Sequence, residues 1–379
     1  MTAEFPRIAI VGVGLIGGSL AAALKALPEE RRPRLLGVAR RAETREYALA
    51  NGIVDEALDP EAAVEAGWFG PADSEAAADL VVIGAPPSAT VDWIRRLGGL
   101  GYQGVVTDVA STKAGVVAAA GEYLTVATFI GGHPMAGSER SGVEAARADL
   151  FKDAYYVLTP SADTPPETYR ALHALATSLG ARVIAIDPSM HDEAVAVVSH
   201  APHVAAAALT RLAARRANTE EGVLRLAAGG FKDTTRIAAG SPELWTGICM
   251  DNAVALGESL AALTADLTAF GDALAAGDAT ALDAWLASAA EVRRALPARW
   301  VPATEALTEL FVPVTDRPGA VADVTLAASR CGCNIEDIEI DHQSEATAVL
   351  RLVLTDEGDL DGLLSTLRDS GFEPTAHPL

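Results

Sequence analysis

The chain has 379 residues, half of them hydrophobic, and a formal net charge of −22, which predicts two or three domains with well-filled cores at about 100–200 residues each. The charge argues against nucleic acid, whose binding needs Lys and Arg against phosphates, and it obliges any anion site to supply its own local positive charge. No uncharged apolar run reaches the ~18 residues of a membrane span, residues 1–10 lack the pattern of a signal peptide, and Cys249, Cys331 and Cys333 offer neither a disulfide framework nor zinc spacing, so a cytoplasmic protein is expected.

In chain order, short apolar runs at 7–11, 34–39, 79–84, 105–108, 128–131, 154–158 and 182–186 read as strands. Ala-rich stretches with helical spacing lie between several of them. This alternation predicts an α/β, Rossmann-type domain with a parallel doubly wound sheet over residues 1–188. Residues 190–295 contain no strand-like run and read as long helices, punctuated by Pro202, Pro242 and Gly229-Gly230. An all-α domain is therefore expected over 189–298. Its apolar faces exceed what one sheet edge can cover, which predicts a homodimer with the active site between the first two domains. Pro297 and Pro302 mark a linker. Residues 306–379 then read as β-α-β-β-α, with a possible last strand at 372–375, a small α+β unit of the split-βαβ kind.

The first strand runs into Gly12-Val13-Gly14-Leu15-Ile16-Gly17, with a helix beginning near Ser19. Here G-x-G-x-x-G has the strand and helix it requires. Gly12 permits the tight turn, Gly14 lets a pyrophosphate approach the backbone, and Gly17 allows close helix–strand packing. The helix N-terminus, with Leu15 and Ile16, offers free N–H groups and a positive dipole end. The second strand ends Ala39-Arg40-Arg41, with no carboxylate for the adenosine ribose. The two guanidiniums suit a 2′-phosphate, so the cofactor is NAD(P)+ with a lean toward NADP+. The alternative is that Arg40 or Arg41 stacks on adenine or stands in solvent.

Four further segments carry chemistry. Gly131-Gly132-His133-Pro134-Met135-Ala136-Gly137-Ser138-Glu139 follows a strand at the edge where doubly wound sheets bind ligands. Asp108-Val109-Ala110-Ser111-Thr112-Lys113 ends another strand at that edge. Ser199-His200-Ala201-Pro202-His203 opens a long helix. Gly230-Phe231-Lys232-Asp233-Thr234-Thr235-Arg236-Ile237-Ala238 precedes Ser241-Pro242-Glu243-Leu244-Trp245. In this order and spacing they resemble the prephenate/arogenate dehydrogenase family over about residues 7–300. Ala110 departs from that pattern, since family members often carry Gly there. The segments Asp316-Arg317-Pro318-Gly319 and Asn334-Ile335-Glu336-Asp337-Ile338 resemble an ACT domain, a module that usually binds an amino acid.

The resemblance implies oxidative decarboxylation of prephenate to 4-hydroxyphenylpyruvate in tyrosine biosynthesis, or of arogenate to tyrosine. It casts His133 as general base, because imidazole titrates near operating pH, and Ser111 as a hydrogen-bonding group that helps orient His133. Arg236 would anchor a substrate carboxylate, steadied by Asp233 three residues before it; a solvated pair is the alternative. His203 would touch substrate, Trp245 would cap the pocket, and Ser138 and Glu139 would flank the entrance. Lys113 is placed near the cofactor. Asp316, Gly319, Asn334 and Ile335 would bind tyrosine as feedback inhibitor, or belong to a purely structural module. No metal is expected: His200 and His203 share a helix face without a third ligand, and His191 falls on the opposite face of a continuous helix. A β-hydroxyacid dehydrogenase or imine reductase is the competing enzyme reading, although the former would need a Lys base on the first interdomain helix. A non-catalytic dinucleotide sensor is the third, and it would not need His133, Ser111 and Arg236 together.

Overall fold

The computed structural model describes residues 4–71, 74–138, 140–217, 223–295, 308–315, 320–333, 335–342, 347–354 and 358–378. By packing the chain divides into two units, Met1–Asp266 and Leu267–Leu379, a cut inside the expected all-α segment. The helices before the cut join the sheet through buried polar contacts: Asn252 Nδ2 donates to the Asp192 carbonyl, and the Asp192 carboxylate accepts backbone N–H groups of Lys113 and Ala114.

The first unit opens with β1 (Arg7–Val11), α1 (Leu15–Lys25), β2 (Arg34–Val38), α2 (Ala42–Ala50), β3 (Glu56–Leu58), α3 (Pro60–Glu65), β4 (Leu80–Ile83), α4 (Pro87–Gly99), β5 (Val105–Asp108), α5 (Ala114–Tyr123) and β6 (Thr128–Pro134). It continues with β7 (Tyr155–Thr159), α6 (Pro166–Ser178) and β8 (Arg182–Ala185). The strands form one sheet in the order β3-β2-β1-β4-β5-β6-β7-β8. Alternation along the strands explains the two covered faces. Ile8, Ile10, Leu80 and Val82 point into one core with Leu20, Leu24, Leu172 and Ala176. Ala9, Val11, Val81 and Ile83 point into the other with Ile94, Leu97, Val116 and Ala120. A strand buried on both faces reads as an unbroken apolar run, as Leu-Val-Val-Ile of β4 does.

Two details depart from the expected parallel sheet. β3, with its half-buried Glu-Ala-Leu, was not anticipated. And β7 runs antiparallel to β6, with His133 opposite Val157. Among its described residues the connection between them holds one short 3-10 turn, Val143–Ala145, and no α-helix. It starts and ends at the same sheet edge, where Met135 N donates to the Tyr155 carbonyl at 2.7 Å. Without a crossover helix the next strand must return antiparallel.

The helical segment starts with α7 (Pro188–Val195), capped by Asp187 with Pro188 in the first turn. A π-helical turn, Ala196–His200, leads into α8 (Ala201–Ala217). Pro202 has no N–H to give to the carbonyl four residues back, which suits a wider turn just before it. α9 (Gly229–Thr235), α10 (Pro242–Asp251), α11 (Ala253–Ala276) and α12 (Ala279–Ala295) follow. α11 has the length and mean hydropathy of a membrane-crossing helix, although three charges interrupt its apolar runs. At about 100° per residue, Glu258, Asp266 and Asp272 lie within one third of its circumference. Leu256, Leu260, Leu263, Leu267, Phe270 and Leu274 line the opposite side at alternating spacings of four and three. That is the seam of a helix packing on another helix.

In the second unit β9 (Thr308–Thr315), α13 (Ala320–Arg330), β10 (Ile335–His342), β11 (Thr347–Leu354), α14 (Leu360–Asp369) and β12 (Thr375–Pro378) form a βαββαβ arrangement. Its antiparallel sheet has the order β10-β11-β9-β12. Leu310, Val312, Leu350 and Leu352 pack there against Val324, Ala328, Leu363 and Leu367 of the helices. The linker expected at 297–302 lies outside the described residues.

Candidate active site

The parallel strands β1, β2, β4, β5 and β6 end at one sheet edge, and two features meet there. The first is a cleft of about 700 Å³ lined by Gly12, Val13, Gly14, Ala39, Arg40, Arg41, Pro86 and Trp93, among others. Gly12 has φ +91, and a Cβ there would lie 2.5 Å from the Gly84 carbonyl oxygen. A Cβ on Gly17 would come within 2.2 Å of the Gly12 oxygen, whereas one on Gly14 would meet nothing within 4 Å. The three glycines thus do what their spacing implies: turn, open approach, tight packing. No side chain caps the start of α1, so its first N–H groups are free for phosphate. Leu15 and Ile16 add their backbone to that helix start while their side chains pack on the core. A dinucleotide therefore fits. Arg40 and Arg41 stand exposed at the cleft edge, and Arg45 braces their loop through the carbonyls of Ala39 and Arg40 at 2.8 and 2.9 Å.

The second feature is a polar cluster around His133. Its Nδ1 lies 2.8 Å from His191 Nε2, and His191 Nδ1 lies 2.7 Å from Asp192 Oδ1. Lys113 N and Ala114 N, at the start of α5, donate to the two carboxylate oxygens of Asp192 at 2.8 and 2.9 Å. Burial, then the charges of Lys113, His191 and His200, push the His133 imidazole well below its usual pKa. Burial alone would raise the Asp192 carboxyl, but its bonds from His191, Ala114 and Lys113 win and hold it low.

The sequence placed His191 only on the helix face opposite His200 and His203, and did not single out Asp192. On an uninterrupted helix His191 and His200 would face opposite ways, nine residues being two and a half turns. The π turn at Ala196–His200 alters that phase. His191 then meets His133, while His200 Nδ1 takes a bond from Asn252 Nδ2 at 3.1 Å. Burial lowers His200 to about 4. On its Nδ1 side, then, His133 is oriented by His191, the role anticipated for Ser111. Ser111 sits half-buried in the loop after β5, and Ala110 is tolerated, its N–H bonded to Asp108 Oδ2 at 2.9 Å.

Lys113 needs a second correction. It is fully buried, ion-paired to Asp108, and gives a bond to the Gly132 carbonyl at 2.7 Å. It does not line the nucleotide cleft. It ties the end of β5 to β6 directly behind His133, because an ammonium this deep needs a fully paired cradle.

His203 is buried and stacks on Trp245, with ring centroids 3.5 Å apart and an interplanar angle of 13°. Its Nδ1 has no partner among the described residues. Asp233 and Arg236 are both exposed and form no ion pair among the described residues. The expected steadying contact is thus absent, consistent with the small gain available to solvated pairs. Ser138 is exposed, its Oγ accepting from Arg140 N at 3.1 Å; Glu139 lies outside the described residues. So do Asp316, Gly319 and Asn334, while Ile335 starts β10 and packs on its core. No group of three metal-ligating side chains occurs among the described residues. The interdomain helices α7 and α8 carry histidines and no Lys, unlike a hydroxyacid dehydrogenase.

Residues 20–185 match the family model for the prephenate dehydrogenase nucleotide-binding domain, and residues 187–288 that for its dimerization domain. The prephenate dehydrogenase of Bacillus subtilis is 34% identical over 358 residues, 93% of each chain. A crystal structure of prephenate dehydrogenase from A. aeolicus, with hydroxyphenyl propionate and NAD+, matches at TM-score 0.70 and 27% identity, covering 78% of this chain and all of that one. Synechocystis arogenate dehydrogenase matches at TM-score 0.62 and 32% identity, over 76% of this chain and 99% of its own. These matches cover most of the chain, and the chain belongs to the prephenate dehydrogenase family.

Proposed function

We propose that the chain oxidises and decarboxylates prephenate to 4-hydroxyphenylpyruvate with NAD(P)+ as acceptor, and that His133 is the general base. The observation carrying this reading is His133 itself: a neutral imidazole held through Nδ1 at the ligand-binding edge of the sheet. The dinucleotide, bound over Gly12, Gly14 and the start of α1, supplies a hydride acceptor. His133 Nε2, the nitrogen not engaged by His191, takes the proton of the ring hydroxyl. Loss of the ring carboxylate as carbon dioxide then aromatises the ring, so the chain mainly has to position the reactants. Ser111, next to this edge, hydrogen-bonds the hydroxyl. His203 and Trp245 form a flat wall against the ring, with His203 Nδ1 available to a polar group of the substrate.

Arg236 supplies the positive charge that a background of −22 demands. Its exposure in the single chain fits a role completed in a homodimer, the assembly implied by the family's dimerization domain. Ser138 and Glu139 flank the entrance. Arg236→Gln should raise KM for prephenate by roughly ten-fold or more with a smaller change in kcat, as expected for uniform binding. Initial rates across a prephenate series check this.

The segments 1–188, 189–298 and 306–379 serve as nucleotide, helical and ACT-like domains. The βαββαβ order of the last supports an ACT-like module, with tyrosine as effector through Asp316, Gly319, Asn334 and Ile335. Cofactor choice leans to NADP+, on the pair Arg40 and Arg41 at the cleft edge and the absence of an acid after Val38. Arg40→Ala should cost roughly ten-fold in kcat/KM for NADP+ and little for NAD+; equal losses would remove the assignment. Reduced-cofactor formation with prephenate, then arogenate, tests the whole reading. No turnover of either would overturn it, and turnover of arogenate alone would move the substrate to its amino analogue.

A further inference from the structure

The cluster behind His133 has a polarity that hydrogen-bond bookkeeping determines. A carboxylate only accepts, and Asp192 already accepts two backbone N–H groups. His191 Nδ1, 2.7 Å from Asp192 Oδ1, must therefore be the donor. A neutral His191 then has a bare Nε2. His133 Nδ1, 2.8 Å from that nitrogen, must donate to it. A neutral His133 is left with its lone pair on Nε2. The chain of bonds starts at the first turn of α5 and ends at the substrate side of the sheet.

We propose that His191 and Asp192 are positioning residues that fix His133 in its Nδ1–H tautomer and act as a two-step proton store. The proposal rests on His133 being the general base. The proton count of the reaction gives the store its purpose. The hydroxyl proton of the substrate passes to His133 Nε2, the O–H electron pair forms the ring C=O bond, and the carbinol C–H pair leaves as hydride to the nicotinamide acceptor. The Nδ1 proton of His133 can pass to His191 Nε2, which places the positive charge next to the Asp192 carboxylate. When the ring carboxylate leaves as carbon dioxide, its bonding pair enters the ring and the oxygen becomes that of a phenol. Both protons then step back, and the phenol recovers the one it lent. No proton enters or leaves the site. His191 and Asp192 are only 2% and 5% exposed, so the stored proton does not exchange readily with water.

Histidine-selective 15N NMR of the unliganded wild-type protein at neutral pH reads the tautomer directly. A protonated Nδ1 and bare Nε2 on His133 are expected; the reverse overturns the proposal. Replacing His191 by Phe should release His133 to the Nε2–H form and lower kcat by roughly 10²-fold or more, by analogy with a wrong-tautomer triad, while KM for prephenate changes little. The acid limb of kcat/KM should also move, because His133 is faced by Asp108 from β5, by Lys113 from the start of α5, by His191 and Asp192 from α7 and by His200, and the variant removes one of them. An unchanged tautomer with unchanged kcat in His191→Phe overturns the store. The underlying reading fails separately, if His133→Gln retains activity. Should His191→Phe not fold, the wild-type tautomer measurement alone still decides.

Discussion

Replacing His133 by Gln is expected to lower kcat by roughly 10²–10⁴, the range of general acid–base catalysis, with little change in KM. Gln keeps a polar side chain of similar reach but cannot accept the hydroxyl proton at neutral pH. Near-normal turnover would remove the assignment. The pH profile gives a second reading of the same group. His133 works as a base only when neutral, and its burial beside Lys113 places its pKa well below 6.5. Because the folded value is depressed, the neutral form persists as pH falls through the ordinary histidine range. The acid limb of kcat/KM should therefore lie below pH 6.5, and a limb at or above that value would contradict the burial.

Replacing Asp108 by Ala should be the most destabilising single change near the site, by about 3–5 kcal/mol, because it leaves the buried Lys113 ammonium unpaired. Both side chains are fully buried, so solvent cannot substitute. Asp108 also accepts from Ala110 N at 2.9 Å and Gly132 N at 3.0 Å, and those donors would be orphaned with it. Urea unfolding followed by circular dichroism measures the loss. The variant should gain stability as pH rises. Burial lowers the Lys113 pKa in the folded state, and without Asp108 that fall deepens. The unfolded chain then holds the extra proton over the window below its ordinary value, and stability increases with pH wherever the unfolded state binds more protons. Adding Lys113→Met should recover part of the loss, since it removes the stranded charge. A double variant no more stable than Asp108→Ala would show that the orphaned backbone donors dominate.

The sequence by itself determined whatever depends on neighbours along the chain. Strand, glycine turn and helix are contiguous at Arg7–Lys25, so the nucleotide cleft could be read from residue order. His133 was legible because glycines and a proline surround it in a loop. The β-α-β-β-α order of the last segment followed from period-two and helical patterns, while its last strand lies at Thr375–Pro378, past the expected 372–375. Tertiary structure alone decided what depends on direction, phase and depth. β7 has the composition of any buried strand, and its connection from β6, which returns to the same sheet edge, made it antiparallel. β3 is three half-buried residues without an apolar period, held by pairing with β2. His191 was hidden because periodicity assumes 3.6 residues per turn, and the π turn at Ala196–His200 breaks that assumption. Lys113 was placed near the cofactor because it follows a strand at the edge where doubly wound sheets bind ligands. Its burial becomes possible only when Asp108 and the Gly132 carbonyl, 5 and 19 residues away, fold around its ammonium. Local rules located the cofactor cleft and His133; the groups that hold His133 are long-range, and their positions exist only once the sheet and the helices have packed.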